Sequence, residues 1–219
     1  MEAILEKLIE TPRLSLFQRA IEQVLEAEQA RRVHFIETMG DTGKAEFING
    51  EVVAQPPVKL KEQLASQHLL ILLDSYAASR SLGLATSSLL ISLTRNDYEP
   101  DICFFRSEIA DTFRPDQMRF PAPDFIAEVL SDSTARNDCG VKFDDYAAHG
   151  VAEYWIIDPV YEIVEQYLLD GEEYTLVYKV GSGVLSSRVV AGFTIPVTAI
   201  FDAAANLTAL RRLLQPFEP

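Results

Sequence analysis

The sequence has few of the residues that bind metals through nitrogen or sulfur. It contains only two cysteines, Cys103 and Cys139, and its three histidines show neither HxxxH nor HExxH spacing. These counts exclude a disulfide framework and a CxxC site, and they argue against the usual zinc sites. We expect both cysteines to be reduced, and any metal bound to this chain to need oxygen ligands.

A long apolar run is also missing. The longest run, residues 69–73, is followed by Asp74 and is far shorter than the ~20 residues that cross a bilayer. The opening MEAILEKLIE mixes acidic and apolar residues, whereas a secretory signal has a basic segment followed by an apolar core. We therefore expect a cytoplasmic protein without a membrane span.

Positive charge is scarce. The chain has 19 lysines and arginines against 33 aspartates and glutamates, a formal net charge of −14. Such a charge repels polyanions at long range and counts against nucleic acid as a default partner. Modest basic candidates are the RRVH at 31–34, Lys59 and Lys61. At 48% hydrophobic residues, the composition is that of a globular protein with a sizeable core.

The hydrophobic pattern predicts alternating helices and strands. Helical spacing of apolar residues occurs at 14–38, 60–81, 138–149 and 206–214. Strands are predicted at 84–93, 101–105, 124–130, 153–158, 163–168 and 174–178. Hairpin turns are predicted at Asn49-Gly50 and Asp170-Gly171. This order predicts an α/β fold with a mixed sheet flanked by helices.

Two carboxylates occupy unusual places in this pattern. Asp101 opens a strand directly after Pro100, and Glu128 lies inside the otherwise apolar strand DFIAEVL. A buried carboxylate is costly unless a cation, a metal or a hydrogen-bond donor neutralises it. A shared Mg²⁺ ion would satisfy both, since Mg²⁺ prefers oxygen ligands. Their position alone favours ordinary structural carboxylates at strand ends over a metal site.

Three further polar residues share one helix face. Lys142 follows Asp138 by four residues and precedes Tyr146 by four, so the three side chains lie in register. The spacing alone favours an ordinary Asp–Lys helical ion pair. The alternative is a lysine directed at the carboxylate site, where it would stabilise phosphate charge. Glu46, just before the first hairpin turn, is a secondary candidate for a third carboxylate.

The ordered series of motifs resembles a known family. It comprises FINGEVV at 47–53, EPDICFF at 99–105, PDFIAEVLSDSTARND at 123–138, Lys142 with Tyr146, and GVAEYWIIDP at 150–159. In this order the motifs resemble the Uma-type group of restriction endonucleases within the PD-(D/E)XK nuclease-like superfamily. The resemblance covers roughly residues 14–180.

The resemblance implies a restriction-endonuclease-like fold and Mg²⁺-dependent hydrolysis of DNA, with Mn²⁺ as a possible substitute. On this basis the chain is one such domain over residues 1–219, with helices 14–38 and 206–214 added to its core. Asp101 and Glu128 would bind the metal, and Lys142 would complete the catalytic set. Glu46, Asp138 and Tyr146 are secondary site candidates.

One departure from the superfamily pattern leaves alternatives open. The lysine that commonly stands two positions after the second acidic residue is replaced here by Leu130, and Lys142 on the following helix would take its part. A nuclease-fold module without cleavage activity, acting in interaction or regulation, is therefore the alternative function. Hydrolysis of another phosphorylated substrate is a third possibility. A homodimer is also possible, because the first long helix has an apolar stripe.

Overall fold

The structure, a computed structural model, describes residues 2–42 and 44–215. It divides into two compact units, Met1–Ala54 and Gln55–Pro219. The expected single domain over residues 1–219 stays a prediction. Within the described part of the chain, no helix combines the length and the apolar character needed to cross a membrane.

The first unit consists of two helices followed by a hairpin. Its elements are α1 (Glu2–Ile9), α2 (Leu14–Thr42), β1 (Ala45–Ile48) and β2 (Glu51–Ala54). Asn49 and Gly50 have φ angles of 50° and 87°, as the predicted tight turn requires. A Cβ atom on Gly50 would lie 2.7 Å from side-chain atoms of Glu28 and Arg31, so the turn needs glycine for space as well as for its φ angle.

The second unit contains the remaining elements. In chain order they are α3 (Leu60–Ser79), β3 (Gly83–Thr86), β4 (Leu90–Ser92), β5 (Asp97–Tyr98), β6 (Ile102–Arg106), α4 (Ser107–Ala110), β7 (Arg119–Phe120), β8 (Phe125–Val129), α5 (Ala135–Asp138), α6 (Val141–Ala148), β9 (Glu153–Asp158), β10 (Ile163–Asp170), β11 (Glu173–Val180), β12 (Val184–Ser186), β13 (Thr194–Pro196), α7 (Thr198–Phe201) and α8 (Ala203–Leu213).

A six-stranded mixed sheet forms the centre of the second unit. Its strand order is β11-β10-β9-β8-β6-β3. β8 and β9 run parallel, connected through α5 and α6, while the other neighbours are antiparallel. In smaller pairings, β4 lies antiparallel to β5 and parallel to β7, and β12 pairs with β13. The predicted mixed sheet is confirmed.

Helices cover both faces of this sheet. On one face the main core joins side chains of α3, α7 and α8 to alternate residues of β8, such as Phe125 and Ala127. On the other face α6 packs through Tyr146, whose ring centroid lies 5.4 Å from that of Tyr154 in β9. Glu128 alternates with the core residues of β8 and therefore points to the α6 face.

Several element boundaries differ from the prediction. The expected strand 84–93 is two strands, because Ser88 takes a φ of 58° between them. The expected helix 138–149 is α5 and α6, separated at Gly140, where a Cβ atom would lie 2.7 Å from the carbonyl oxygen of Arg136. The last helix begins earlier than predicted, because the Asp202 carboxylate caps it by accepting from Ala205 N–H at 2.7 Å.

Candidate active site

Asp101 and Glu128 are linked across neighbouring strands. The backbone N–H of Asp101, just before β6, donates to Oε2 of Glu128 at 3.1 Å. The backbone N–H of Val129 in β8 donates to Oδ2 of Asp101 at 2.8 Å. These two hydrogen bonds fix both carboxylates at one end of the paired strands β6 and β8. Asp101 and Glu128 therefore share one site although they are 27 positions apart in the sequence.

Lys142 lies between two carboxylates. Its Nζ is 3.0 Å from Oε1 of Glu128 and 3.1 Å from Oδ1 of Asp138. All three side chains are at most 3% exposed. Removing three charged groups from water is costly, and their mutual attraction offsets that cost only in close geometry such as this.

Aromatic residues surround the buried ion pair. The Tyr146 hydroxyl donates to Oε1 of Glu128 at 3.0 Å. The ring of Tyr98 lies 5.9 Å from Nζ of Lys142 and packs edge-on against Tyr146, so the ammonium also contacts a π face. Burial and the nearby charges of Glu128 and Asp138 raise the pKa of Tyr154 well above its usual value, which keeps that phenol neutral.

A second set of contacts anchors α6 to the segment that leads into Asp101. The Asp145 carboxylate accepts from the Tyr98 hydroxyl at 2.8 Å and from Nδ2 of Asn96 at 2.7 Å. Nε2 of His149, at the end of the same helix, contacts the Thr94 hydroxyl. Tyr98 and Asp145 were not among the site residues predicted from the sequence. The position of Asp145, three residues after Lys142, was the available signal.

A narrow cleft opens onto these groups. Its lining residues are Gln55, Pro56, Val58, Glu99, Asp101, Glu128, Val129, Ser131, Ser133, Thr134, Asp138 and Lys142. When ionised, the carboxylates of Asp101, Glu128 and Asp138 with the ammonium of Lys142 carry a formal charge of −2, before Glu99 is counted. Such an excess of negative charge in a confined cleft favours a cation.

The structure thus brings five of the six candidate residues together in the second unit. The cleft is lined by four of them, Asp101, Glu128, Asp138 and Lys142. Tyr146 does not line the cleft but donates a hydrogen bond to Glu128. Glu46 lies on β1 in the first unit, where its side chain is buried.

One buried carboxylate that the sequence analysis did not single out has a structural role. Glu153, at the start of β9, is fully buried on the main-core face. Its two oxygens accept from Trp155 Nε1, Gln166 Nε2, Ser187 Oγ and the backbone N–H groups of Arg188 and Val189. These donors satisfy the carboxylate without a metal.

The donor set at the cleft fits a magnesium ion. Among the residues that the structure describes, no group of three or more His, Cys, Asp or Glu side chains is placed to hold a metal ion. Mg²⁺, however, is usually bound by one or two carboxylates and completes its octahedron with water and substrate phosphate. Asp101 and Glu128, two carboxylates at one cleft, match that requirement.

The chain is similar to a known protein family in sequence and to a solved structure in fold. The model of the Uma2 family, described as "Putative restriction endonuclease", matches residues 27–198. A solved structure from Anabaena variabilis, described as a putative nuclease belonging to DUF820, has a TM-score of 0.63 at 18% identity, covering 76% of this chain and 90% of that one. The predicted fold class is thereby confirmed. Comparison with curated proteins found no match.

Proposed function

The chain belongs to the Uma2 family, which is described as "Putative restriction endonuclease", and we propose that it is a Mg²⁺-dependent endonuclease that hydrolyses phosphodiester bonds of DNA. The observation that carries this proposal is the cleft where Asp101 and Glu128 lie together beside Lys142. A family of nucleases supplies the reaction class, and the cleft supplies the residue types that this reaction needs.

Asp101 and Glu128 are the proposed metal ligands. A bound Mg²⁺ ion would polarise the scissile phosphate and lower the pKa of an attacking water. The protein holds the two carboxylates in place through the hydrogen bonds from Asp101 N–H and Val129 N–H. This preorganisation matters because small displacements of catalytic groups cost large factors in rate.

Lys142 is the proposed stabiliser of transition-state charge. Its ammonium is held beside the metal ligand Glu128 and is also paired with Asp138. The contact with Asp138 holds the ammonium in the cleft through a second carboxylate besides Glu128. An ammonium in a buried site stabilises developing phosphate charge more strongly than one in water. Tyr146 orients Glu128 through its hydroxyl.

Calorimetric titration with Mn²⁺ and Mg²⁺ tests the metal site without requiring a DNA substrate. We expect one or two bound ions in the wild type and loss of binding in Glu128→Gln. Glu165→Gln is the matched control, because Glu165 is an acidic residue on β10 that does not line the cleft. Binding that survives in Glu128→Gln, or that is lost equally in Glu165→Gln, would contradict the assigned ligands.

A further inference from the structure

A solvent-exposed ion pair connects the two walls of the cleft. One wall is the segment 55–58, and the other is the loop 131–134. Lys59 directly follows the first wall and Asp132 lies within the second. Nζ of Lys59 is 2.6 Å from Oδ2 of Asp132, and the two side chains are 59% and 88% exposed. This pair joins residues 73 positions apart at the rim of the site.

The interior of the cleft has little positive charge to offer a polyanion. Among the described residues that line it, Lys142 is the one cation, and its side chain is 2% exposed and contacts two carboxylates. A DNA strand that reaches the cleft therefore approaches an acidic region of an acidic protein. The phosphates flanking the reacting one need a cation that is accessible to solvent, since phosphate contacts supply most of the nonspecific affinity for DNA.

We propose that Lys59 binds a backbone phosphate next to the scissile one, and that Asp132 competes with this phosphate for the Lys59 ammonium. The inference rests on the proposed nuclease function and adds a substrate-binding residue to it. An exposed ion pair contributes little to stability, so exchanging Asp132 for a phosphate costs the fold little. The hydrogen bond to Asp132 also raises the pKa of Lys59 above its usual value, and an exposed lysine is already charged at neutral pH.

Two substitutions that break the same ion pair separate binding from structure. Lys59→Gln removes the phosphate contact, so we expect about tenfold weaker DNA binding at low salt and a salt slope reduced by about one. Asp132→Asn removes the competitor, so we expect tighter binding with an unchanged or steeper slope. If the ion pair has only a structural role, the DNA affinity should change in the same direction in both variants.

The measurement is fluorescence anisotropy of a labelled DNA duplex across a salt series, with Ca²⁺ in place of Mg²⁺. The matched control is the pair Lys179–Glu165, also at 2.6 Å with a lysine that is 57% exposed, but outside the cleft lining. Lys179→Gln and Glu165→Gln should leave affinity within a factor of two. If the wild type binds DNA and Lys59→Gln binds it equally well, or if Asp132→Asn loses affinity, the role of Lys59 is overturned while the nuclease proposal stands. Absence of wild-type binding overturns it together with the nuclease proposal.

Discussion

The ammonium of Lys142 and the carboxylate of Glu128 form an ion pair of 3.0 Å in which neither side chain is more than 3% exposed. Buried ion pairs are a poor route to stability, because hydrophobic residues of similar volume are often as good or better. We therefore relate this pair to the proposed chemistry of the cleft and not to stability. The pair also has energetic consequences that can be measured apart from activity.

Replacing Lys142 with methionine leaves Glu128 and Asp138 buried beside an apolar side chain. We expect a loss of about 3–5 kcal/mol in the free energy of unfolding, the usual cost of removing one partner from a buried pair. Urea denaturation measures it. Adding Glu128→Gln to Lys142→Met should recover part of the loss, because fewer uncompensated charges remain. A Lys142→Met protein as stable as the wild type would contradict the buried-pair description.

Removing the Tyr146 hydroxyl tests its role in orienting Glu128. Tyr146→Phe loses a hydrogen bond to a charged acceptor, for which we expect a destabilisation of about 1.5–3 kcal/mol, together with weaker Mn²⁺ binding. Tyr174→Phe is the control, since the Tyr174 hydroxyl donates to the backbone oxygen of Val151. That variant should leave Mn²⁺ affinity unchanged, and equal affinities in both variants would argue against an orienting role for Tyr146.

Glu153 should behave as a structural carboxylate. In Glu153→Gln an amide NH₂ group replaces one acceptor oxygen and faces hydrogen-bond donors on neighbouring chain segments. We therefore expect the free energy of unfolding to fall by about 3 kcal/mol or more. Thermal unfolding followed by circular dichroism measures it. At temperatures where the variant is folded, Mn²⁺ affinity should equal that of the wild type. Selective loss of metal binding without loss of stability would show that Glu153 belongs to the site.

The two cysteines should differ in reactivity. Burial, followed by the charge of Glu128, raises the pKa of Cys103 far above its usual value. The exposed Cys139 has a pKa raised more modestly by partial burial and by Asp138 and Glu165. Because the thiolate is the reactive form, iodoacetamide labelling of Cys139 should increase with pH and require higher pH than in the unfolded chain. Cys103 should react with iodoacetamide only when the protein unfolds. Mass spectrometry measures the labelling of each cysteine, and equal labelling rates for Cys103 and Cys139 in the folded protein would contradict this prediction.

The sequence predicted the parts of the fold that depend on local pattern. The turn at Asn49-Gly50 was predicted at its observed position and the strand 153–158 with its observed limits, because turn chemistry and apolar runs act over a few residues. The break at Ser88 was not predicted, since a serine at positive φ has no local sequence signal.

The same distinction applies to the cleft. Asp101 and Glu128 stood out as carboxylates in an apolar setting. Helical spacing placed Lys142 and Tyr146 on one face, and the family resemblance made them candidates for the site. The contact of Asp145 with Tyr98 joins residues 47 positions apart, and the donors to Glu153 include Ser187 and Val189, 34 and 36 positions away. Only the tertiary fold brings such partners together, so the spacing that marks Asp145 beside Lys142 could not identify Tyr98 as its partner.

The most direct test is cleavage of supercoiled plasmid and single-stranded DNA at low salt with Mg²⁺ or Mn²⁺. The comparison uses wild type, Glu128→Gln, Lys142→Ala and the control Glu165→Gln, each shown to be folded. Metal-dependent nicking by the wild type and the control, abolished in the two cleft variants, is the result that we predict. No cleavage by folded wild-type protein under any of these conditions would contradict the nuclease proposal in favour of a noncatalytic module, and cleavage that persists in Glu128→Gln would contradict the site.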